Sequence, residues 1–325
     1  MSADFVHAFS ALFSNAANPE LLKTLVQHHH ESAANFPPSL LVAGIADPHE
    51  RALATIVSQA DHFSASERGE GAEQWQDFKS TALASVMEQV RIPKETEIET
   101  EEDRRANEAR PTPTLRFHAR ALSGADDKLF GGIFPDNIEY ATDEINKLLE
   151  DFGPKFRDWA EKAGTPDFDV LLTHLLHFLY KYAWCVPSDT QTAIPDISLY
   201  DHLRVTAAIA SCLYLYHSEN NSLNEEAIKA VGQSRFYLVA GDVSGIQNYI
   251  FGISNIGAGS VARRLRARSL FVQLVTESCA MKILKEFDLP VSNILMSAGG
   301  NFHLLVPKLD GTESLLANAN REIDQ

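Results

Sequence analysis

The fold of this chain is decided by residues 236–306, which open with FYLVAGD (236–242) and SGIQ (244–247) and close on GGN (299–301) before an apolar run. The first run predicts a buried strand that ends in an acidic residue and leads into a helix through Ser-Gly. Backbone amides at the start of a helix carry partial positive charge and attract anions. The Gly-Gly pair predicts a tight hairpin at which the backbone can approach a ligand. These features together are typical of a domain that handles nucleotides.

The order of elements in this region predicts a known arrangement of strands and helices. We expect a strand at 236–241, helical sequence over 245–287 with an interruption near Gly257 and Gly259, two strands at 293–297 and 301–306, and a helix at 312–322. This β-α-β-β-α order is that of a ferredoxin-like fold that lacks its last strand. We therefore predict an α+β protein with an open sheet edge, and we interpret the chain as a fragment or one half of a split protein.

Length, composition and net charge limit the classes of protein to which this chain can belong. A chain of 325 residues with 45% hydrophobic and 22% charged residues has room for two or three ordinary globular domains. The net charge of -16 argues against coating of nucleic acid by the whole surface. It leaves room for a local basic groove, for which the string Arg263, Arg264, Arg266 and Arg268 is the candidate. The alternative is that these arginines cap and solubilise a helix.

Cysteine usage and hydropathy indicate the compartment. The chain has three cysteines, Cys185, Cys212 and Cys279, without any CxxC pair, so the sequence supports neither a zinc ribbon nor a disulfide framework. We expect buried thiols in a reducing environment. No apolar run is long enough to span a bilayer, and the N-terminal sequence lacks the pattern of an export signal. The expected location is the cytoplasm.

The chain divides by composition into four predicted segments. Residues 1–92 are mainly helical in pattern, with Leu53, Ile56, Val57, Ala60 and Phe63 on one face after Pro48. Residues 93–113 are rich in acidic side chains and predict a solvated linker. Residues 114–234 predict a helical connecting region with a short strand at 115–122, where polar and apolar residues alternate. Residues 235–325 form the domain described above. Within the third segment, Ser222-Leu-Asn-Glu225 predicts a capping box before a short helix.

A histidine cluster, His28-His29-His30-Glu31, is a second candidate for chemistry. Neutral imidazoles bind divalent metals, and Asp61 on a later helix could complete such a site. A surface run of histidines is the alternative. None of the 12 histidines is followed by Asp, so a His-Asp metal pair is absent from the sequence.

Five stretches carry a resemblance to a known family. The sequences GDVSGIQNYIF (241–251), RRLRARS (263–269) and SAGGNFHLLVP (297–307) resemble the first Palm domain of the large subunit of type III-A CRISPR effector complexes, the Csm-type Cas-ten family. ISLYDHLRVTAAI (197–209) is similar to a further signature of that family. ADHFSASER (60–68) resembles the end of its HD nuclease domain. Large subunits of this family often carry a zinc ribbon, which is absent here.

The resemblance implies a site in the Palm domain. It implies a nucleotide-cyclase-like fold whose pocket binds ATP between two Palm domains, with Ser244 and Arg266 or Ser269 near phosphates and Gln247 near a base or ribose. Catalysis in the family needs divalent metal, Mg or Mn, and a Gly-Gly-Asp-Asp motif on a second Palm domain, whereas Asn301 and Phe302 follow Gly-Gly here. We therefore expect this Palm domain to bind ATP without catalytic metal-holding acids. The candidate nucleotide-binding set is Asp242, Ser244, Gly245, Gln247, Arg266, Ser269, Gly299 and Gly300.

For residues 1–92 the resemblance implies the remnant of an HD nuclease domain, with His29, His30 and Asp61 as its metal ligands. Because the His-Asp pair is missing, we expect little or no nuclease activity from this chain. The intact family defends against viruses by cutting single-stranded DNA and by making cyclic oligoadenylate from ATP. The expected partners are other Csm subunits, the guide RNA complex, target RNA, single-stranded DNA and a separate second-Palm chain. The alternative function is a noncatalytic nucleotide-sensing or protein-interaction module.

Overall fold

The computed structural model of the protein describes residues 2–30, 37–65, 79–90, 114–122, 133–137, 142–190, 194–252 and 261–323. The predicted acidic linker 93–113, the interruption at Gly257 and Gly259, Glu31 and the end of the ADHFSASER stretch lie outside the described residues. Within the described part, the helices are α1 (Ser2–Ala8), α2 (Ser10–Phe13), α3 (Pro19–Gln27), α4 (Pro48–Ser64), α5 (Thr142–Ala163), α6 (Phe168–Ala183), α7 (Leu199–Glu219), α8 (Glu225–Lys229), α9 (Ile246–Phe251), α10 (Val261–Glu286) and α11 (Thr312–Ile323). The strands are β1 (Phe236–Asp242), β2 (Ile294–Ala298) and β3 (Asn301–Pro307).

The chain folds into two compact units. Residues 1–64 together with 204–325 form the first unit, and residues 65–203 form the second. The first unit therefore combines segments that are far apart in sequence. The boundaries of the four segments predicted from composition remain predictions. Among the described helices, none has the length and apolar character needed to cross a membrane.

The first unit is built on a three-stranded antiparallel sheet with the strand order β1-β3-β2. The register pairs Phe236 with Pro307 at one end of the sheet and Asp242 with Asn301 at the other. β2 and β3 are joined by the two-residue turn Gly299-Gly300. Among the described strands, this order leaves β1 and β2 at the two edges, as expected for a ferredoxin-like arrangement without the fourth strand that would pair with the other side of β1. The predicted α+β class with a Palm-like arrangement is confirmed.

One face of the sheet carries a core against the two long C-terminal helices. The side chains of Phe302, Leu304 and Val306 alternate along β3 and are 5%, 0% and 0% exposed. They pack with Leu284 of α10 and Ala319 of α11. Each fully buried aliphatic side chain of this kind stabilises the fold by about 1.5–3 kcal/mol relative to an exposed one. Burial of this face therefore fixes β3 as the central strand.

The opposite face of β3 is covered by helices from distant sequence. Leu305 is buried in a cluster with Ile209 and Leu213 of α7 and with Ile56 and Ala60 of α4. Ile56 and Ala60 belong to the apolar face predicted for α4, whereas Phe63 of the same set is 38% exposed. β3 is thus buried on both faces, although it belongs to an antiparallel sheet.

A buried amide ties these layers together. The side chain of Asn293, just before β2, is 0% exposed. Its Nδ2 donates to the carbonyl oxygens of Leu305 (2.9 Å) and Ala208 (3.2 Å). One side chain therefore joins the end of β3 to the backbone of α7. In the same place, burial raises the pKa of the Cys212 thiol to about 12, so this cysteine stays protonated and unreactive.

Two local predictions differ from the structure. Helix α8 begins at Glu225 with Asn224 as its N-cap, whose side chain accepts from the amide of Ala227 at 3.0 Å. Ser222 instead bonds the ring of the buried His217 at 2.9 Å, so the predicted Ser222–Glu225 capping box is wrong. Residues 115–122 contribute only two isolated bridges at Arg116, to Ala84 and to Asp136, rather than a strand. The capping box does not form because the ring of His217 competes for the hydroxyl group of Ser222. Alternation of polar and apolar residues at 115–122 was not sufficient for a strand, because strand formation depends on tertiary context.

The second unit has an aromatic core between α5 and α6. The rings of Phe152 and Tyr182 lie 5.2 Å apart, and those of Phe156 and Phe178 lie 5.3 Å apart, each pair edge to face. This geometry brings the positive edge of one ring to the negative face of the other. Asp151 accepts from the hydroxyl of Tyr182 at 3.0 Å, which satisfies the polar end of that ring.

We expect Asn293→Ala to destabilise the first unit by about 2–3 kcal/mol, because two buried carbonyl groups lose their donor and a small cavity remains. Asn318→Ala, an exposed asparagine on α11, is the matched control and should change stability by less than about 0.5 kcal/mol. Urea unfolding followed by circular dichroism measures both variants. Equal stability of the two would contradict the role assigned to Asn293.

Candidate functional site

The candidate site lies at the end of the sheet where β1 stops. Asp242, the last residue of β1, is paired with Asn301 at the start of β3. The next amide, that of Val243, donates to the carbonyl oxygen of Gly300 at 2.8 Å. The acidic end of β1 is therefore adjacent to the Gly-Gly turn. The sequence analysis predicted these two features as separate elements of one site.

Two glycines are required here for different reasons. Gly245 has a φ of 76° and is the N-cap of α9, where no side chain caps the helix. Gly300 has a φ of 92°, and a Cβ placed on it would lie 1.9 Å from Cδ1 of Ile246. The Gly-Gly turn therefore packs against the first residue of α9. A Cβ on Gly299 would meet nothing within 4 Å, although its φ is also positive, at 62°.

The polar side chains of this loop are turned toward solvent. Asp242, Ser244 and Gln247 are exposed, and in the described part of the chain their side chains form no hydrogen bond. Asp242 does not cap the following helix, whose N-cap is Gly245. A carboxylate, a hydroxyl and an amide are thus presented beside uncapped helical amides. The hydroxyl, the side-chain amide and the helical amides can donate to an anion such as a phosphate, whereas the carboxylate of Asp242 repels an anion unless a cation lies between them.

The predicted residues on α10 extend toward the same end of the sheet. Gln273 donates through Nε2 to the carbonyl oxygen of Ser297 on β2 at 3.2 Å, which fixes the helix against the strand. Ser269 and Arg266 precede Gln273 by four and seven residues, so they share its helical face. With a rise of 1.5 Å per residue they lie about 6 Å and about 10 Å farther along the helix axis. Since α10 runs antiparallel to β2, that direction leads past Ser297 toward the Gly-Gly turn. Both side chains are exposed.

The four arginines of the basic string have different roles. Arg268 lies over the ring of Tyr249, 5.1 Å from its centroid, and donates to the carbonyl oxygen of Tyr249. It therefore holds α9 to α10, which is a structural role. Arg263, Arg264 and Arg266 are exposed and remain available for an anionic ligand.

The hairpin position that would hold a metal-binding acid is part of the core. Phe302 is 5% exposed, and its ring lies so close to Gly241 that a Cβ there would be 2.1 Å from it. Asn301 is exposed but carries an amide, which binds magnesium poorly compared with a carboxylate. Asp242 is the one carboxylate at positions 241–247 and 297–303. The residues present fit a triphosphate, whereas a magnesium ion would need further oxygen ligands from elsewhere.

The histidine cluster does not form a three-residue metal site in the described structure. Among the described residues, no group of three or more His, Cys, Asp or Glu side chains is placed to hold a metal ion. The rings of His29 and His30 lie 3.9 Å apart, and His29 Nδ1 is 2.8 Å from the carbonyl oxygen of Val26. Burial and the neighbouring His29 lower the pKa of His30, while Asp61 opposes that shift. His29, His30 and Asp61 are therefore near one another, and their role as metal ligands stays a prediction.

Sequence reasoning missed the apolar surface beside the site. Phe251, Leu270, Phe271 and Leu274 are 64%, 60%, 53% and 53% exposed. The ring of Phe271 lies 5.8 Å from that of Tyr249. We name the surface formed by Phe251, Leu270, Phe271 and Leu274 the α10 stripe. Leu270, Phe271 and Leu274 follow an i, i+1, i+4 spacing on α10 that can be read from the sequence, but the same spacing is typical of a helix face that packs in a core.

The chain is similar in sequence to a known protein family and to several known proteins. Residues 235–325 match the protein family described as Csm1 subunit domain B. The chain is 32% identical over 217 residues to the CRISPR system single-strand-specific deoxyribonuclease Cas10/Csm1 (subtype III-A) of Methanocaldococcus jannaschii, covering 59% of this chain and 26% of that protein. It is also 32% identical over 191 residues to the protein of the same description from Enterococcus italicus, covering 56% of this chain and 24% of that protein. The chain thus spans about a quarter of the length of these relatives.

Solved structures show the same fold. The crystal structure of Csm1 from T. onnurineus matches with a TM-score of 0.60 and 22% identity over 98% of this chain and 37% of that one. A Csm1-Csm4 cassette in complex with AMPPNP matches with a TM-score of 0.60 and 21% identity over 98% of this chain and 37% of that one.

We expect Gly300→Ala to destabilise the first unit by about 2–3 kcal/mol, because its backbone has positive φ and Cδ1 of Ile246, the movable end of that side chain, must shift to admit the methyl group. Gly299→Ala is the matched control, since it has the same positive-φ penalty but no clash, and should cost about 1–2 kcal/mol. Urea unfolding of both variants measures the difference. If the two variants are equally stable, the packing of the turn against α9 is not as described.

Proposed function

We propose that residues 235–325 supply the ATP-binding, noncatalytic Palm half of a cyclic oligoadenylate synthase. The chain is homologous to Cas10/Csm1, so the resemblance to the large subunit of type III-A CRISPR effector complexes is confirmed. The observation that carries this proposal is the sheet end itself. There the acidic end of β1, the uncapped start of α9 and the Gly-Gly turn meet, with exposed polar side chains around them.

Each residue of the site has a role in this proposal. Ser244 and the amides at the start of α9 donate to the phosphates of ATP. Arg266 neutralises part of the triphosphate charge from the neighbouring helix, and Ser269 donates beside it. Gln247 contacts the base or the ribose. The two glycines keep the turn close to α9 and leave the loop open to the ligand.

The catalytic acids come from a second Palm domain in this proposal. Magnesium would supply positive charge that stabilises the phosphoryl group during transfer, but one carboxylate, Asp242, is too few to hold it. Phe302 occupies the core where an acid would be needed. This chain therefore binds and orients ATP, and a partner domain with Gly-Gly-Asp-Asp completes the metal site. Solved structures of this fold were obtained with AMPPNP and with one ATP, which supports ATP as the ligand class.

The nuclease function of the intact relatives is not proposed for this chain alone. The sequence lacks the His-Asp pair, and the three predicted ligands do not form a metal cluster in the described structure. Other Csm subunits, the guide RNA complex, target RNA and single-stranded DNA remain proposed partners of the complex in which this chain acts.

ATP binding to the purified chain tests the proposal. We expect Arg266→Ala to weaken binding roughly tenfold and Ser244→Ala to weaken it about threefold to tenfold, as charged and neutral hydrogen bonds are lost. Asp242→Ala should weaken binding in the presence of magnesium but not in its absence, because the carboxylate then only repels the triphosphate. Isothermal titration calorimetry measures each affinity.

The control for charge is Arg321→Ala, an exposed arginine on α11, which should bind ATP as the wild type does. If Arg321→Ala and Arg266→Ala weaken binding equally, the chain attracts ATP through general charge and the proposed site is wrong. Absence of ATP binding by the wild-type chain would also contradict the proposal.

The α10 stripe favours a second role, as a docking surface for another subunit of the complex. Four large apolar side chains exposed together are uncommon on a surface without a partner. The solved Csm1 structures include Csm1-Csm4 cassettes, so a Csm4-type subunit is the proposed occupant. In this role the chain would serve as an interaction module as well as an ATP-binding one.

We expect the double variant Phe271→Ser, Leu274→Ser to weaken binding to a Csm4-type subunit by at least roughly tenfold, because central apolar contacts dominate such interfaces. Leu238→Ser is the control, since Leu238 is 65% exposed on β1, away from the stripe. Surface plasmon resonance with the purified subunits measures both. Unchanged affinity of the double variant would show that this subunit binds elsewhere.

A further inference from the structure

A buried histidine near the end of α7 has no role in the functions discussed above. His217 is 1% exposed, and the ring of Tyr216 lies 5.1 Å from its own ring, edge to face. Its Nδ1 lies 2.9 Å from Oγ of Ser222, in the segment that follows the helix. Its Nε2 is buried, and no residue that the structure describes offers it a hydrogen-bond partner. Unpaired buried atoms of this kind are rare in folded proteins, so the ring is a candidate for a conformational role.

A buried arginine holds the neighbouring helix α8. Arg235, directly before β1, is 4% exposed, and its guanidinium donates to the carbonyl oxygens of Ile228 (2.6 Å), Ala227 (3.1 Å) and Ala230. Since the last carbonyl groups of a helix lack the amides of a next turn, this arginine caps α8 at its C-terminal end. In the described structure its charge is therefore surrounded by carbonyl oxygens and is not paired with a carboxylate.

The surroundings of the histidine ring oppose its protonation. Burial and the charge of Arg235 both lower the pKa of His217, while a hydrogen bond with the backbone of Ser222 opposes that shift. A protonated ring carries an N–H group at Nε2 as well, for which the described structure has no acceptor. It also adds a second positive charge to a buried site that already holds the guanidinium. The folded state therefore favours the neutral ring.

The carboxylates of the neighbouring helices do not compensate for a proton on the ring. On α8, Glu225 accepts from Lys229 at 2.7 Å and lies 3.6 Å from Arg51 of α4. Glu226 of α8 and Glu219 at the end of α7 are exposed. Among the described residues, none of these three carboxylates bonds the histidine ring, so a proton there would have no negative partner.

We propose that His217 and Arg235 form an acid-sensitive joint that holds α8 to the sheet and loosens when the ring takes up a proton. The side chain of Arg235 caps α8, while its carbonyl oxygen accepts at 2.9 Å from the amide of Lys308, just after β3. Repulsion between a charged ring and the guanidinium removes the cap, which frees α8 from the sheet. Because Glu225 of α8 lies beside Arg51, the loosening also weakens the contact between α8 and α4.

The direction of the pKa shift sets the pH range in which the joint acts. A histidine whose pKa is lowered by folding stabilises the closed joint at high pH. This stabilisation is complete above the ordinary pKa of 6.5, declines below it, and is lost once the pH is below the lower pKa of the folded state. From about pH 7.5 to about pH 5.5, the population of the open joint should therefore rise by up to about tenfold. ATP binding uses other residues, so the inference does not depend on it.

Hydrogen exchange of the full chain measures the opening of α8. We expect the protection of amides 225–230, corrected for the intrinsic pH dependence of exchange, to fall roughly threefold to tenfold from about pH 7.5 to about pH 5.5. His217→Gln cannot take up a proton, so the same amides should change by less than about twofold. His174→Gln is the matched control, because His174 is an exposed histidine of the second unit, and it should keep the pH dependence of the wild type.

Three results would overturn the joint. Equal changes of protection in the wild type and in His217→Gln would place the titrating group elsewhere. Equal loss of protection over the whole chain would show global unfolding instead of release of α8. Should His217→Gln not fold, Arg235→Gln gives the second comparison: without the buried charge, amides 225–230 should lose less protection between the two pH values than in the wild type. An unchanged or larger loss in that variant would exclude the proposed repulsion.

Discussion

Burial of β3 on both faces is the constraint on which the rest of the first unit depends. Leu304 and Val306 face the C-terminal helices, and Leu305 between them faces α4 and α7. A slip of one residue would exchange these faces and expose or misplace every side chain of the strand. The register is therefore fixed, and with it the pairing of Asp242 with Asn301 at the far end. The position of the candidate site therefore follows from the core packing of other residues in the same sheet.

The same packing explains why the residue after Asn301 is apolar rather than acidic. The alternation that places Leu304 and Val306 in the core also places Phe302 there, over Gly241. An aspartate at that position would be a buried charge without a partner, which is strongly unfavourable. Recognition of an anion does not need an acidic side chain, because exposed hydrogen-bond donors and helical amides suffice. In the proposed function, the loop therefore contacts the triphosphate, and further acids that hold the metal come from a second domain.

Much of the C-terminal fold could be predicted because its sequence signals are local. Strands β1, β2 and β3 lie within a residue of the predicted ranges, since short apolar runs bounded by glycine and aspartate have few other interpretations. Gly300 was predicted to let the backbone approach a ligand, whereas the group that it approaches in the structure is the side chain of Ile246. The capping box at Ser222 failed because a buried histidine competes for the hydroxyl group. The hydrogen bond between His118 and Glu144 in the second unit could not be predicted, since 26 residues separate the two and only the fold brings them together.

The central claim is that this chain supplies one half of a composite nucleotide site. The most direct measurement mixes the purified chain with a separately purified Palm domain that carries Gly-Gly-Asp-Asp, together with ATP and magnesium, and analyses the products by mass spectrometry. We expect cyclic oligoadenylate from the mixture, none from either protein alone, and a large loss of product when Arg266 is replaced by alanine. Equal synthesis by the partner domain without this chain, or no synthesis by a mixture in which the two proteins demonstrably bind each other, would contradict it.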